Sequence, residues 1–260
     1  VLRAQPSPRR RAAGTVVALV ALAVVVVLVA TLVADTRSPA LRGRRYPWHT
    51  DITATTFWVG EIFDPDADDG SQRISAYDDE WLEHYGGCDG QQVGDECRTE
   101  RRFRRDGWFP RHMEPRENPF YLDLPYDDKS VEENFRTRGD VVPWARDEPY
   151  AERVGDRRYS LMKNRWVELR RGSRRCFGQV QDAGPGEYSD VDYVFGSDDA
   201  RPLNQRYGGA GMDVSPALTG CLGFDDVNGV TGGIRWRFVE REDVPDGPWT
   251  RLETTSRGTG

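Results

Sequence analysis

Apolar and polar positions along this 260-residue chain change regime twice. Residues 15–34 run without a single charged side chain. As a helix rising 1.5 Å per residue they would span roughly 30 Å, the depth of a bilayer core. Arg3, Arg9, Arg10 and Arg11 precede them, a bias that keeps the N-terminus inside and sends the rest outside. The pattern predicts a basic tail over 1–14 and one N-terminal transmembrane helix over 15–34. A cleaved signal peptide is the alternative, although Leu32-Val33-Ala34-Asp35 is a poor small-x-small exit. On both readings the remaining chain is extracytoplasmic. Residues 35–50 hold Pro39, Gly43, Pro47 and four arginines without periodicity and read as a linker.

From 51 onward the pattern is that of short strands. TATTFWVGEI at 53–62 is β-branched and aromatic and reads as the first. Residues 75–85 predict a short helix with Trp81 and Leu82 inward. NPFYLDLPY at 118–126 reads as a strand, as do 166–169 and 176–180, and the β signal stays dense into YSDVDYVFG at 188–196. Ser215-Pro216 pairs a capping hydroxyl with Pro at the first helical position, so a helix should run to Gly220 or Gly223. IRWRFV at 234–239 alternates with period two. Between these elements, 89–117 is a polar loop and 127–159 an irregular charged insertion; 253–260 is a polar tail. About six strands and two short helices predict a mainly β, barrel-like single domain over 51–252 with long loop insertions.

Composition changes this picture in three places. The net charge of −7 argues against a general nucleic-acid or anionic-lipid binder. The basic cluster Arg98, Arg101, Arg102, Arg104 and Arg105 reads as a solvated loop, with contact to an anionic glycan or a membrane as the sharper option. The acidic run at 64–70 has its glycine one position late for a calcium loop, and Ser75 stands at the final-ligand position, so it reads as a solvated turn. Four cysteines in an oxidising compartment favour disulfides over zinc, and no CxxC pair is present. Of the three possible pairings, Cys88–Cys97 with Cys176–Cys221 is preferred, because the second bond would tie a strand to the helix after Asp213. No nucleotide, haem or flavin motif occurs, and no cofactor is expected.

Two aspartates interrupt well-formed structure. Asp182 ends an apolar run and enters the QDAGPG turn at 181–186; Asp213 stands just before the helix start in GMDVSPALTG at 211–220. Together with GIRWRFVE at 233–240, these segments resemble the double-psi β-barrel group of rare lipoprotein A, expansins, barwin-like proteins and family 45 endoglucanases. In that group one strand ends in an Asp-x-Gly-Pro turn, a second Asp opens a helix, and a closing strand carries Val/Ile-x-Trp-Arg. TTFWVG at 55–60 resembles the group's opening strand. NPFYLDLPYDD and KNRWVELRR resemble secreted bacterial proteins built on the same barrel. The fold implied is a six-stranded double-psi β-barrel.

The resemblance implies chemistry unevenly. Rare lipoprotein A is similar at Asp182, where its lytic transglycosylase activity depends on the turn aspartate. Its partner histidine belongs in the strand formed here by 118–126, and none of His49, His84 and His112 lies there. Expansins and the endoglucanases are similar at Asp213, the proton donor of the hydrolases. The endoglucanase base falls at Val59; Glu61 shares that residue's face of an extended strand. Hydrolysis needs two carboxylates, whereas the lytic route needs one group acting as acid and then base. The resemblance therefore implies lytic cleavage of peptidoglycan or another wall polysaccharide. Asp182 would be the acid/base, Asp213 a charged neighbour, and Asp127 or Asp128 a third polar group, with Tyr188, Tyr193, Trp144 and Trp166 stacking on sugar faces. A non-catalytic, expansin-like wall-binding module is the alternative. Each aspartate also has a purely structural reading, Asp182 in an Asx turn and Asp213 at a helix start, and the aromatics have one as core.

Overall fold

The computed structural model describes residues 44–66 and 70–257. The predicted anchor at 15–34, the basic tail, most of the linker and part of the acidic run lie outside them. Among the described residues no helix is long and apolar enough to cross a membrane.

The strands in chain order are β1 (His49–Thr56), β2 (Gln91–Val93), β3 (Glu96–Arg98), β4 (Tyr121–Leu124), β5 (Trp166–Arg171), β6 (Arg174–Ala183), β7 (Met212–Val214) and β8 (Thr231–Val239). β2 and β3 form a separate hairpin, and the other six close into a barrel in the order β1-β7-β4-β6-β5-β8. The barrel is mixed: β1 runs parallel to β7 and β4 parallel to β6, while the remaining neighbours are antiparallel. Alternation fixes which side chains point in. Val167, Leu169, Cys176, Val180, Ile234, Trp236 and Phe238 fill the interior. Their neighbours Trp166, Phe177 and Val239 face outward and are covered by Val244 and Trp249.

Among the described residues four α-helices accompany the barrel: α1 (Trp81–Tyr85), α2 (Glu132–Val141), α3 (Val191–Phe195) and α4 (Pro216–Leu222). α4 forms where Ser215-Pro216 predicts it. The Ser215 side chain accepts a hydrogen bond from Leu218 N–H, and Gly223 at φ 69° ends the helix.

Four sequence expectations need correction. The first strand starts at His49 and ends at Thr56, not at 62, because Phe57 and Val59 leave the barrel to pack on Trp81 and Tyr85 of α1, and Trp58 packs on Cys88 and Cys97. The predicted helix at 75–85 is reduced to α1, since Ser75 and Asp78 pair as an isolated bridge ahead of it. The stretch 188–196 is helical at α3, where the Asp190 carboxylate caps by accepting from Tyr193 N–H. The insertion at 127–159 contains α2. Its organiser is polar: buried Arg138 donates to the carbonyls of Asp128, Arg153, Val154, Asp156 and Tyr159 and to the Asp128 carboxylate.

Cysteines pair as preferred, Cys88–Cys97 and Cys176–Cys221. The second bond ties β6 to α4 across a sequence separation of 45. A loop of that size should stabilise the fold by roughly 4 kcal/mol through the unfolded chain, against about 2.5 kcal/mol for the short loop. Urea unfolding of Cys176→Ala/Cys221→Ala and Cys88→Ala/Cys97→Ala should therefore show the larger loss for the first pair. Two disulfides in the folded domain point to an oxidising, extracytoplasmic setting.

Candidate functional site

Three neighbouring strands, β7, β4 and β6, each contribute one aspartate to the same part of the barrel. Asp123 of β4 lies opposite Asp182 of β6 in the parallel ladder, just past a register shift at Leu122. Asp213 of β7 sits one residue before Val214, which pairs with Leu122. Asp123 joins the two sequence landmarks: its Oδ1 accepts from the Asp213 backbone N–H at 2.5 Å. Its Oδ2 lies where a Cβ on Gly184 would come within 2.7 Å. Glycine at the QDAGPG turn is thus required by the approach of this carboxylate, in addition to its φ of 153°.

Asp182 is held from above by the segment before α1. Its Oδ1 accepts from Ala76 N–H at 2.7 Å and from its neighbour Ala183 N–H at 2.8 Å. That segment is pinned from below. Tyr77 Oη donates to the Tyr126 carbonyl at 2.7 Å. The buried Lys163 ammonium lies 2.9 Å from Asp78, which also contacts His84 Nδ1. The Asp78 carboxyl is pushed up by burial but held below its usual range by the Lys163 charge and by bonds from His84, Lys163 and Glu80 N–H.

A cleft of about 440 Å³ opens over Asp182. Asp127, Ser130, Val131 and Tyr188 line one part of it, and Phe63, Gln72, Ile74 and Ser75 another. Phe63 and Tyr188 are 57% and 47% exposed, so both can offer a ring face to a ligand. Asp127 lies in the same cleft, its Oδ1 accepting from Lys129 N–H and Ser130 N–H.

Burial dominates the electrostatics of this group. It pushes Asp182 up to about 7, with Ala76 and Ala183 N–H and Lys163 opposing and Asp127 adding to the rise. Burial raises Asp213 to about 8, helped by Glu61 and Asp182. Glu61 rises to about 7 for the same first reason, against a bond from Trp58 N–H. Asp123 is raised well above the carboxylate range by burial, then by Asp213 and Asp182. The expectation of a charged Asp213 at neutral pH is corrected accordingly. Its Oδ1 is sealed from water with no hydrogen-bond partner, and protonation is the cheaper state for such an atom.

The chain matches no protein-family model, no curated protein and no solved structure. The site is therefore read from its own chemistry.

Of the expected catalytic residues, Asp182 and Asp127 share the cleft, whereas Asp213 does not line it and stands buried on β7, its N–H bonded to Asp123. Asp128 turns away, buried against Arg138, Ser160 Oγ and Leu161 N–H. Of the four expected stacking aromatics only Tyr188 is exposed. Trp144 and Tyr193 are fully buried, and Trp166 is 5% exposed. Each is committed to packing: Trp144 Nε1 donates to the Leu161 carbonyl, Tyr193 Oη accepts from Trp236 Nε1, and Trp166 packs under Val244 and Trp249. A side chain closed on both faces cannot stack on sugar. None of the histidines lines the cleft: His49 stacks on Trp236, His84 binds Asp78 and His112 binds Glu100.

Sequence reasoning missed two contributors, Asp123 and Phe63. Asp123 carried a readable signal, since it is the one charged position inside FYLDLPY, a run apolar on both sides of the strand. Phe63 had none, because its exposure follows from the path of the loop. No group of three or more His, Cys, Asp or Glu side chains among the described residues is arranged to hold a metal ion.

Proposed function

We propose that this protein is a membrane-anchored, extracytoplasmic double-psi β-barrel that cleaves wall glycan, peptidoglycan foremost, by a lytic route with Asp182 as the acid/base. The observation that carries the reading is Asp182 itself: a carboxyl lifted by burial to about 7, lining a cleft with two exposed aromatic rings. A group with a pKa near the working pH can both give and take a proton. In the proposed reaction the Asp182 carboxyl protonates the departing glycosidic oxygen as the C1–O bond breaks. The sugar's own 6-hydroxyl then bonds to C1, and the Asp182 carboxylate takes the hydroxyl proton, leaving a 1,6-anhydro end. Protonated Asp123 and Asp213 behind Asp182 place little negative charge beside the leaving proton. The double-psi assignment is supported by two parallel strand pairs within a closed six-stranded barrel and by the turn and helix motifs that carry the aspartates.

A second reading, a wall-binding module without catalysis, is favoured by one contact: Asp182 Oδ1 accepts two backbone N–H groups, as a purely structural aspartate would. Incubating the protein with purified sacculi separates the two. The enzyme reading expects anhydro-muropeptide release that falls at least about 100-fold in Asp182→Asn and declines as pH rises through 7. Binding to sacculi without release, unchanged by the substitution, would establish the module instead.

A further inference from the structure

The outer face of β5, β6 and β8 is finished in two ways. One part lies under Val244 and Trp249; the other carries a cluster of arginines. Opposite positions in the ladders put Arg170, Arg175, Arg235, Arg237 and Glu168 on the same side. Glu168 is fully buried beneath three of them, which approach its carboxylate to 2.6–2.8 Å. One carboxylate shared by three guanidiniums leaves two positive charges uncompensated, and Arg235 adds a third. These arginines make no other ion pair among the described residues. The Trp48 ring stands among the guanidiniums of Arg170, Arg235 and Arg237, whose central carbons lie 4.9, 4.9 and 4.6 Å from its centroid. A guanidinium stacked on an indole keeps its N–H edge free for a planar or tetrahedral anion. The overall charge of −7 hides this local concentration.

Place in the chain selects the anion. Trp48 follows the end of the apolar 15–34 run by fewer than fifteen residues. At most about 3.5 Å per residue, that distance is within roughly 50 Å. Tryptophan is enriched at membrane–water boundaries, and a guanidinium close to an anionic lipid surface gains about 1 kcal/mol. We propose that this arginine–tryptophan face docks onto anionic lipid headgroups, holding the barrel against the bilayer from which the chain emerges. The proposal rests on the anchor reading of 15–34 and is independent of the glycan chemistry, whose cleft is built on β6 and the loops around α1.

The test is arginine labelling by phenylglyoxal, read by mass spectrometry, on the full chain in lipid nanodiscs of phosphatidylcholine with and without phosphatidylglycerol. Arg175 and Arg235 should label at least about tenfold more slowly in the anionic discs, while Arg105 and Arg146, 73% and 81% exposed, label equally in both. Arg235→Gln should return roughly fivefold of the protection at Arg175, the share of one basic residue at a charged surface. Equal labelling of Arg175 and Arg235 in the two discs overturns the proposal. So does protection spread to Arg105 and Arg146, or protection that requires added polyphosphate and is indifferent to lipid. Failure of the chain to co-purify with phosphatidylcholine discs would sink the anchor reading alone; protection confined to anionic discs would still support the face.

Discussion

Lys163→Met is expected to destabilise the folded chain by about 3–5 kcal/mol at pH 8, the usual cost of stripping one partner from a buried ion pair. Lys163 and Asp78 are both fully buried, 2.9 Å apart. Without the ammonium, Asp78 keeps only His84 and the Glu80 N–H. His84 is about one-third exposed, and its pKa is raised by the bond to Asp78. A protonated His84 can therefore stand in for the lost charge below its pKa, and the variant should recover part of its deficit at pH 5.5. Urea unfolding at both pH values checks this. A deficit equal at the two would remove His84 from the account. Lys163→Met/Asp78→Asn should regain most of the loss, because the orphaned charge is gone. Since Ala76 donates to Asp182 from the same pinned segment, the single variant should also loosen the cleft before it unfolds the barrel.

The second large effect is a gain. Asp213→Asn should leave stability nearly unchanged at pH 4 and raise it by on the order of 2–4 kcal/mol at pH 9. The folded pKa of Asp213, about 8, stands above the unfolded carboxylate range, so the native state binds the extra proton. Its contribution is fully present below about pH 4 and is lost as pH rises through 8. An amide at this position never ionises, so that loss disappears. Thermal unfolding of both proteins across this range should give curves that meet in acid and diverge in base. Parallel curves would mean that Asp213 is not the group being forced to ionise. Glu61 and Asp182 are raised in the same sense, so the wild-type slope should flatten only in part.

What could be read from the residues differs by scale. Strand-forming runs at 166–169, 176–180 and 234–239 carry their own alternation, and Ser215-Pro216 carries its own cap, so local physics suffices for them. The cysteine pairing was preferred among three because its longer bond would tie a strand to the helix after Asp213, and the structure bears it out. Strand ends were not legible in this way: Phe57, Trp58 and Val59 look like the continuation of β1 and are diverted by α1 and the Cys88–Cys97 bond, which are remote partners. Trp144 and Tyr193 have the same composition as a sugar platform, and only the closed packing around them separates core from surface. The Arg138 network organises 127–159 through main-chain carbonyls, which leave no trace in sequence. The upward shift of Asp213 comes from burial and from Glu61 and Asp182, which only folding brings near it, a property of topology that no single segment contains.

One feature of the cleft bears on how such a protein can change. Asp182 belongs to a barrel strand whose register is fixed by its neighbours on both sides. The side chains that flank it in the cleft, among them Phe63, Ile74, Ser130 and Tyr188, belong to loops. On the proposed reading, reactivity and recognition would be carried by separate stretches of chain. Lengthening or rewriting the loops should reshape the cleft without moving Asp182, which makes 70–75 and 127–131 the natural places to graft a new specificity onto this barrel.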